Sequence, residues 1–339
     1  MKAINIIFII FSAIFFSACD RAFVPENEEL SFQITDHILS EYNISSIVFD
    51  KKGTAWIGTF EQGLIKYDGS TTIYNFYNSE LPDSLYIYDL EVDYDNIVWL
   101  GTNKGLIKFN HKQFEIFNTS NSPLAENFVW DLAVDQNNTL WISSCRFKLG
   151  GLMKLNNGNW TLYTPENSEL PDNGVRCITV DDQNNLWGGV TFSSVIKISN
   201  NNWEIYDKDD LGFDLWEILS IAAQNEVAYV SIDYSLSSAA WPVGPTIVKL
   251  ENNKFTDITP FKENEEIPGY TGKLALDKYG NLWTSFHSNN GTYLIVYKDK
   301  EWIYKKVDIP VTFYSSVIKA DKRNTIWIGT HEGIFLLKQ

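Results

Sequence analysis

Histidines and carboxylates, set among many aromatic side chains, are the residues of this sequence that could support catalysis. The four histidines are His37, His111, His287 and His331, and no two of them have the spacing that metal ligands usually share. Glu332 follows His331 directly, so a base and an acid are adjacent there. The sequence therefore predicts neither a metal site nor a cofactor, and the candidates for a catalytic role are His287, His331 and Glu332.

A larger set of side chains has the chemistry of a binding surface. Aromatic rings stack on the apolar faces of sugars, while carboxylates and guanidinium groups can form two parallel hydrogen bonds to neighbouring polar groups. The predicted ligand-binding residues are Phe60, Glu61, Trp130, Arg146, Arg176, Trp216, Asp233, Tyr234, Trp241, His287 and His331. A glycan or another small extracellular ligand is the expected partner. For each aromatic residue the alternative is a structural role between packed elements.

Cys19 marks the end of an export signal. Lys2 supplies a positive start, the stretch from Ile4 to Phe16 is apolar but too short to span a bilayer, and small residues precede the cysteine. This order resembles the lipobox of bacterial lipoproteins, which implies a signal peptide over 1–18, a lipid on Cys19 and a tether over 19–29. The protein is then expected to be exported and anchored in the cell envelope, at the outer membrane. The alternative is an ordinary cleaved signal peptide with an incidental cysteine.

Composition argues against several classes of partner. The chain of 339 residues has 43 acidic and 27 basic residues, a formal net charge of −16. Nucleic acids and anionic membrane surfaces both attract basic proteins, so neither is an expected partner. No second apolar stretch is long enough for a transmembrane helix, and the predicted membrane contact is the lipid anchor alone.

The elements that must position these side chains are copies of one repeat. An Asp precedes a Trp by six residues in six places: Asp50/Trp56, Asp93/Trp99, Asp135/Trp141, Asp181/Trp187, Asp277/Trp283 and Asp321/Trp327. A degraded copy has Ala223 for the Asp and Tyr229 for the Trp. Successive Trp or Tyr positions are separated by 43, 42, 46, 42, 54 and 44 residues. Such a period is typical of propellers and solenoids.

Each copy can be divided into four short strands. The first ends at the Asp, and the residue three positions later is Gly or Asn in all six good copies, which suits the positive φ of a tight turn. The second strand carries the Trp and a small residue two positions on, which lets backbones approach closely. We therefore predict an all-β domain over 30–339, a seven-bladed β-propeller of four-stranded antiparallel blades. Residues of about 30–36 are expected to pair beside 333–338 and close the ring.

The repeat resembles the two-component regulator propeller repeat. The resemblance rests on Leu-Pro-Asp-Asn-Gly-Val-Arg-Cys-Ile-Thr-Val-Asp-Asp-Gln-Asn-Asn-Leu-Trp at 170–187, Leu-Pro-Asp-Ser at 81–84 and Trp-Ile-Gly-Thr at 56–59 and 327–330. It implies the periplasmic sensor propeller of hybrid two-component systems in gut Bacteroidetes, here as a stand-alone lipoprotein. Streptogramin lyase is a similar seven-bladed propeller that has a catalytic histidine and an acid on one face.

The predicted site residues fall on one face of such a propeller. Loops between the second and third strands and loops joining one blade to the next lie on the same side, here called the upper face. The long connection of blade 5, over 231–245, is the first place to look, because it carries Asp233, Tyr234 and Trp241. Cys145 and Cys177 fall near the upper face of adjacent blades, and a disulfide between them is predicted for an exported protein.

Three hypotheses of function follow from these residues and their predicted placement. The first is a non-catalytic extracytoplasmic binding or sensor-type propeller that recognises a glycan or another extracellular ligand on its upper face. The second is a protein-interaction scaffold in an envelope complex. The third is a propeller lyase or hydrolase that uses the histidines and Glu332. A compact aromatic pocket would favour the first, a broad flat patch the second, and a histidine within reach of an acid the third.

Overall fold

The repeats fold into seven separate antiparallel sheets that form the blades of a closed ring. The computed structural model describes residues 32–146, 149–211, 217–233, 247–260, 269–288, 291–310 and 317–338. Within these ranges, no helix has both the length and the apolar character needed to cross a membrane. The predicted seven-bladed, four-stranded, all-β architecture is confirmed.

The strands follow the order predicted from the repeat. The N-terminal strand is β1 (Gln33–Ile38). Blade 1 contains β2 (Ile44–Phe49), β3 (Ala55–Thr59), β4 (Leu64–Tyr67) and β5 (Thr71–Tyr74). Blade 2 contains β6 (Ile87–Val92), β7 (Val98–Thr102), β8 (Gly105–Phe109) and β9 (Phe114–Phe117). Blade 3 contains β10 (Val129–Val134), β11 (Leu140–Arg146), β12 (Leu149–Asn156) and β13 (Asn159–Tyr163).

The second half of the ring continues the pattern with one variation. Blade 4 contains β14 (Val175–Val180), β15 (Leu186–Val190), β16 (Ser194–Ser199) and β17 (Asn202–Tyr206), followed by the short helix α1 (Lys208–Leu211). Blade 5 contains β18 (Glu217–Gln224), β19 (Val227–Asp233), β20 (Ile247–Glu251) and β21 (Lys254–Asp257). Blade 6 has its first strand in two pieces, β22 (Gly269–Thr271) and β23 (Ala275–Leu276), before β24 (Leu282–Ser288), β25 (Gly291–Lys298) and β26 (Glu301–Val307). Blade 7 contains β27 (Val317–Ala320), β28 (Ile326–Thr330) and β29 (Gly333–Lys338).

The N-terminal strand closes the ring as predicted. β1 pairs antiparallel with β29, with Gln33 opposite Lys338 and Ile38 opposite Ile334. It thereby supplies the fourth strand of blade 7. Just before β1, the side chain of Phe32 is 1% exposed and packs edge-on against Trp283 of blade 6, with ring centroids 5.9 Å apart. Lys305 donates a hydrogen bond of 2.7 Å to the carbonyl of Phe32.

The hydrophobic core is divided among the spaces between neighbouring blades. Trp56 and Leu64 of blade 1, for example, pack with Ile87 and Phe109 of blade 2. The small residue two positions after the Trp makes this packing possible. A Cβ added to Gly189 would lie 2.6 Å from a methyl group of Ile218 in the next blade, which is too close for any larger residue.

The Asp of the repeat ties its hairpin together. In blade 2, Oδ1 of Asp93 accepts the backbone N–H groups of Asp95 and Ile97, both at 2.9 Å. Oδ2 accepts the indole N–H of Trp99 at 2.9 Å. Blades 3, 4, 6 and 7 repeat this arrangement. The sequence predicted the turn. In five of the six copies the gap of six residues also brings the indole N–H to the carboxylate, whereas the indole N–H of Trp56 in blade 1 has no hydrogen-bond partner among the described residues.

The Gly or Asn of the hairpin has the positive φ that was predicted, and Asn has a second role. φ is 60° at Asn138, 69° at Asn184 and 65° at Asn324. The side-chain oxygen of each also accepts a backbone N–H from the hairpin of the preceding blade, at 2.8, 2.6 and 3.3 Å respectively. These bonds join neighbouring blades on the face opposite the upper face, called the lower face below.

Blade 5 corrects one detail of the repeat assignment. Tyr229 occupies the position of the Trp, because it pairs with Ala222 as Trp187 pairs with Thr179. The hairpin, however, is a two-residue turn in which Asn225 and Glu226 have φ of 52° and 61°. By this pairing Gln224, not Ala223, takes the place of the Asp. The shorter turn does not need a carboxylate to hold it.

Candidate functional site

A β-bulge in the first strand of five successive blades supplies the side chains of the candidate site. The pairing of the first and second strands shifts by one residue in blades 1 to 5. The residues left unpaired in blades 2, 3 and 4 are Tyr88, Trp130 and Arg176. Bulges redirect a side chain away from the regular pleat and are common beside functional sites. Here they bring three large side chains from three blades into one row.

The row is continuous, and we call it the upper arc: Phe60, Tyr86, Tyr88, Phe128, Trp130 and Arg176. The rings of Phe60 and Tyr88 are 6.5 Å apart, and those of Tyr88 and Trp130 are 4.4 Å apart. The guanidinium carbon of Arg176 lies 3.7 Å above the ring of Trp130. Tyr86 and Phe128 flank the row at 6.0 Å from Phe60 and 6.1 Å from Trp130. Every member is partly buried, so the arc is preorganised yet retains an exposed side.

Acidic side chains hold the two ends of the arc. The hydroxyl of Tyr86 donates to Glu61, whose φ of 70° is unusual for this residue type. The backbone of Phe60 forms a β-bridge with that of Tyr86, which fixes the loop of blade 1 against blade 2. At the other end, Nε of Arg176 lies 3.3 Å from a carboxylate oxygen of Glu217 in blade 5. The arc therefore reaches from blade 1 to blade 5.

The titration of the two tyrosines reflects this environment. Burial raises the pKa of Tyr88, and the nearby charge of Arg176 partly opposes the shift. The hydrogen bond to Glu61 raises the pKa of Tyr86, with a further contribution from the charge of that carboxylate. Both phenols therefore stay protonated at neutral pH: Tyr86 donates its proton to Glu61, and Tyr88 can donate a hydrogen bond to a ligand. The arc offers aromatic faces, phenolic donors and a guanidinium, which is chemistry for binding.

The structure unites part of the predicted site. Phe60, Glu61, Trp130 and Arg176 were predicted separately, and the upper arc brings them together. Phe128 and Glu217 were missed, although both lie near the start of a first strand as Tyr86 does. Three predicted residues have described backbones only, at the ends of β11 and β19 and in β24: Arg146, Asp233 and His287. Three others lie outside the described residues: Trp216, Tyr234 and Trp241.

His331 lies in the upper-face loop of blade 7 beside its predicted acid. Its Nε2 is 3.6 Å from a carboxylate oxygen of Glu332, and both side chains are partly or largely exposed. Its Nδ1 is buried and has no hydrogen-bond partner among the described residues. The backbone carbonyl of Glu332 is 2.6 Å from Nε2 of His37 in β1. A histidine within reach of an acid is thus present, at blade 7.

The predicted disulfide is not formed in the structure. Cys177 is a free, buried thiol, and its sulfur lies 3.7 Å from the carbonyl oxygen of Ile218 in blade 5. The thiol therefore faces the following blade, whereas Cys145 belongs to the preceding blade 3. Burial raises the pKa of Cys177, and the charge of Asp131 contributes. The side chain of Cys145 lies outside what the structure describes.

A cavity opens at the lower face, among the hairpins that follow the first strands. Its volume is about 390 Å³. Its lining includes the apolar residues Val134, Val180 and Leu276 and the polar residues Tyr94 and Asp182. The hairpin carboxylates beside it, such as Asp181, already accept backbone and indole hydrogen bonds. Those bonds account for these Asp residues as parts of the hairpin turns.

Comparison with known proteins agrees with the repeat assignment. A sequence profile of the two-component regulator propeller matches residues 38–61 and 123–146, which lie at blades 1 and 3. A search of curated proteins found no match. The fold is similar to the extracellular domain of a putative hybrid two-component system from Bacteroides thetaiotaomicron, with 20% identity and a TM-score of 0.67. The alignment covers 90% of this chain and 39% of that one, so the chain spans about two fifths of that relative's length.

Two other solved structures share the propeller fold. Virginiamycin B lyase from Staphylococcus aureus is 15% identical with a TM-score of 0.68, over 91% of this chain and 99% of that chain. PorZ of Porphyromonas gingivalis, an essential surface component of the type-IX secretion system, is 14% identical with a TM-score of 0.62. That alignment covers 87% of this chain and 46% of PorZ. At these identities the similarity establishes the fold, and function has to be argued from the site.

Proposed function

Because the chain carries two-component regulator propeller repeats in a closed ring, we propose that it is a non-catalytic, extracytoplasmic binding propeller of the sensor type. Its ligand is an extracellular glycan held on the upper arc. The observation that carries the proposal is the uninterrupted contact from Phe60 through Tyr88 and Trp130 to Arg176. Each of these side chains comes from a different blade, so the arc exists only in the assembled ring.

The chemistry of the arc suits a sugar better than a purely apolar ligand. Aromatic faces bind the C–H faces of a sugar ring, and the phenol of Tyr88 can donate to its hydroxyls. The phenol oxygen of Tyr86, which donates its proton to Glu61, can accept a hydrogen bond from them. Arg176 is held between Trp130 and Glu217, so little conformational entropy is lost when it binds a polar group.

Location is the second part of the proposal. The Bacteroides relative is an extracellular domain, and the propeller is of that type. We propose that residues 1–18 are removed as a signal peptide, that Cys19 carries a lipid and that 19–29 tether the ring to the outer membrane. These residues lie before the part of the chain that the structure describes.

Two alternatives are each supported by one structural observation and one fold comparison. A role as an interaction scaffold is supported by Leu149 and Phe192, which are 65% and 52% exposed on neighbouring upper-face loops, and by the fold shared with PorZ. A lyase or hydrolase activity is supported by His331 beside Glu332 and by the fold shared with virginiamycin B lyase. The arc favours binding, because its groups contact one another as a recognition surface does.

Thermal unfolding of the folded domain in the presence of soluble oligosaccharides and polysaccharides tests the proposal. A ligand that binds only the folded state raises the melting temperature in proportion to the logarithm of its concentration above Kd. We expect a dose-dependent rise for at least one glycan, which Trp130→Ala removes. The control is Tyr77→Ala, since this tyrosine is 91% exposed and lies outside the arc. No shift with any glycan, or a shift that Trp130→Ala leaves intact, would refute glycan binding on the arc. In that case, co-purification of a protein partner from the envelope would test the scaffold.

A further inference from the structure

The hairpins between the first and second strands divide the lower face into two halves of opposite charge. In blades 6, 7 and 1 the residues that follow the repeat Asp are basic and exposed, and we call them the basic sector: Lys278, Lys322, Arg323, Lys51 and Lys52. In blades 2 to 5 the same hairpins, all within the described ranges, have no Lys or Arg, and their exposed charged residues are Asp95, Asp182 and Glu226. The repeat Asp occurs in both halves, so the difference comes from the exposed residues.

The basic sector is continuous across three neighbouring blades. Nζ of Lys322 in blade 7 donates to the carbonyl of Lys51 in blade 1 at 2.7 Å. The backbone N–H of Lys278 in blade 6 donates to the side-chain oxygen of Asn324 in blade 7 at 3.3 Å. An ammonium group has three donors, so Lys322 retains two for another partner. The side chain of Arg323 is 87% exposed, and its guanidinium extends from the middle blade of the three.

Two exposed tyrosines lie beside these lysines. Tyr279 is 69% exposed, and Nζ of Lys278 is 4.8 Å from the centre of its ring. Tyr94, at the border of the sector in blade 2, is 51% exposed. Nζ of Lys51 donates to its carbonyl at 2.6 Å and lies 5.4 Å from its ring centre. Exposed tyrosines next to lysines are typical of protein surfaces at the level of lipid headgroups.

The other lower-face turns of these blades do not neutralise the sector. The turn of blade 6 between its third and fourth strands has two bases and two acids, over 298–301. In blade 1, Asp68 is already paired with Lys66 at 2.6 Å. In blade 7, the exposed Lys338 at the end of β29 adds a further base. The excess of positive charge is therefore retained.

The N-terminal segment joins the ring at the same place. β29 begins after the upper-face loop of blade 7 and runs to the lower face, where it ends at Lys338. β1 is antiparallel to it, with Gln33 opposite Lys338, so β1 begins at the lower face of blade 7. Even fully extended, residues 19–31 can span at most about 45 Å. A lipid on Cys19 would therefore hold this edge of the ring near the membrane.

We propose that the basic sector contacts the anionic, phosphate-bearing headgroups of the membrane and turns the upper arc away from it. The inference rests on the anchoring at Cys19 proposed above. The formal net charge of −16 opposes binding of the free protein to such a surface, so the anchor supplies attachment and the sector sets orientation. The acidic hairpins of blades 2 to 5 are repelled by the same headgroups. The upper arc is then accessible to extracellular ligands.

Lysine acetylation of membrane-held protein tests the orientation. The chain from residue 20, with an N-terminal hexahistidine tag in place of the lipid, is held on nickel-chelating vesicles of phosphatidylcholine or of a mixture rich in anionic phosphatidylglycerol. Mass spectrometry then gives the acetylation rate of each lysine. We expect Lys51, Lys278 and Lys322 to react several-fold more slowly on the anionic vesicles, and high salt to remove the difference. The control is Lys104, which is exposed on the upper-face loop of blade 2 and should react equally on both.

Equal rates at the three lower-face lysines on both vesicles would overturn the proposal, and so would equal slowing at Lys104. Arg323→Glu should reduce the slowing at Lys278 and Lys322, because each base near an anionic leaflet shifts the balance of orientations by roughly fivefold. Lys104→Glu reverses one charge on the upper face and should leave the slowing intact. Slowing that is the same in both variants would refute the role of the basic sector.

The mass of the native protein extracted from membranes tests the anchoring separately. An unlipidated Cys19 would refute the anchor. The tagged protein does not depend on that lipid, so the acetylation rates still decide whether the basic sector faces anionic lipid.

Discussion

Replacing Phe32 by alanine should weaken the closure of the ring. The side chain is 1% exposed and lies in one hydrophobic cluster with Trp283 and Leu294 of blade 6 and Ile326 and Leu337 of blade 7. It is the last residue before β1, so its packing determines how firmly that strand stays on β29. Truncation would leave a cavity between two blades and would free the chain that leads into β1.

The expected loss can be estimated from this burial. Phe→Ala substitutions in well-packed cores reduce the free energy of unfolding by about 3–5 kcal/mol, and the edge-on contact with Trp283 places Phe32 within that range. With an unfolding entropy of about 2 cal/mol/K per residue, a domain of this size should melt roughly 5–8 °C lower. Ile34→Ala is the matched control, because this residue lies in β1 but is 42% exposed. Its effect should stay below about 1 kcal/mol.

Urea denaturation measures the effect of the substitution on global stability, and hydrogen exchange measures its effect on the closing strand. The urea midpoint reports global stability, and exchange of the amides of β1 and β29 reports the local opening of the closing strand. We expect Phe32→Ala to lower the midpoint and to accelerate exchange first in these two strands. A midpoint equal to that of Ile34→Ala, with unchanged exchange in β29, would show that Phe32 does not secure the closure.

Three further predictions concern the hairpins and the buried thiol. Asn184→Gly keeps the positive φ but loses the acceptor for the N–H of Gln136, so it should lower the free energy of unfolding in urea by about 1 kcal/mol. Asn184→Ala also strains the backbone and should lower it by about 2–3 kcal/mol. Equal losses of stability would contradict the role of φ. Although burial opposes ionisation of Asp277, hydrogen bonds from Asn281 and Trp283 lower its pKa. Its contribution to stability is therefore present above about pH 4 and lost below it. Asp277→Asn should make the urea midpoint depend less on pH in the acid range. A midpoint that changes with pH as steeply as in the wild type would contradict this. Cys177 should resist alkylation in the native protein and react in urea without a reductant, whereas a requirement for reductant would indicate a disulfide after all.

The fold was predictable because its signals are local and repeated. An Asp, a turn residue with positive φ and a Trp recur within one hairpin. The sequence contains six copies of this short motif, which can be compared with one another. The bonds between blades were not predictable in the same way. That the amide of Asn184 reaches the backbone of Gln136 depends on the angle between two sheets, which no spacing along the chain reveals.

The candidate site was predictable as a set of residue types and not as an arrangement. Trp130 and Arg176 stood out as large side chains on inter-blade loops, yet their contact depends on bulges that shift the pairing of β10 and β14. Phe128 was missed because nothing in its local sequence separates a ring that joins the arc from one that fills a core.

Closure by β1 also sets an order of events while the chain is made. The hydroxyl of Thr35 donates to the carbonyl of Leu336, 301 positions later, so the strand that is synthesised early cannot pair until β29 has been synthesised. Each intervening blade can form from contacts within its own repeat and with the blades beside it. The entropy of joining distant ends grows only slowly with chain length. Until then Phe32 and the edge of blade 7 stay unpaired, open to proteases and to strands of other chains. Resistance to proteolysis should therefore develop late and all at once, when synthesis has passed residue 338.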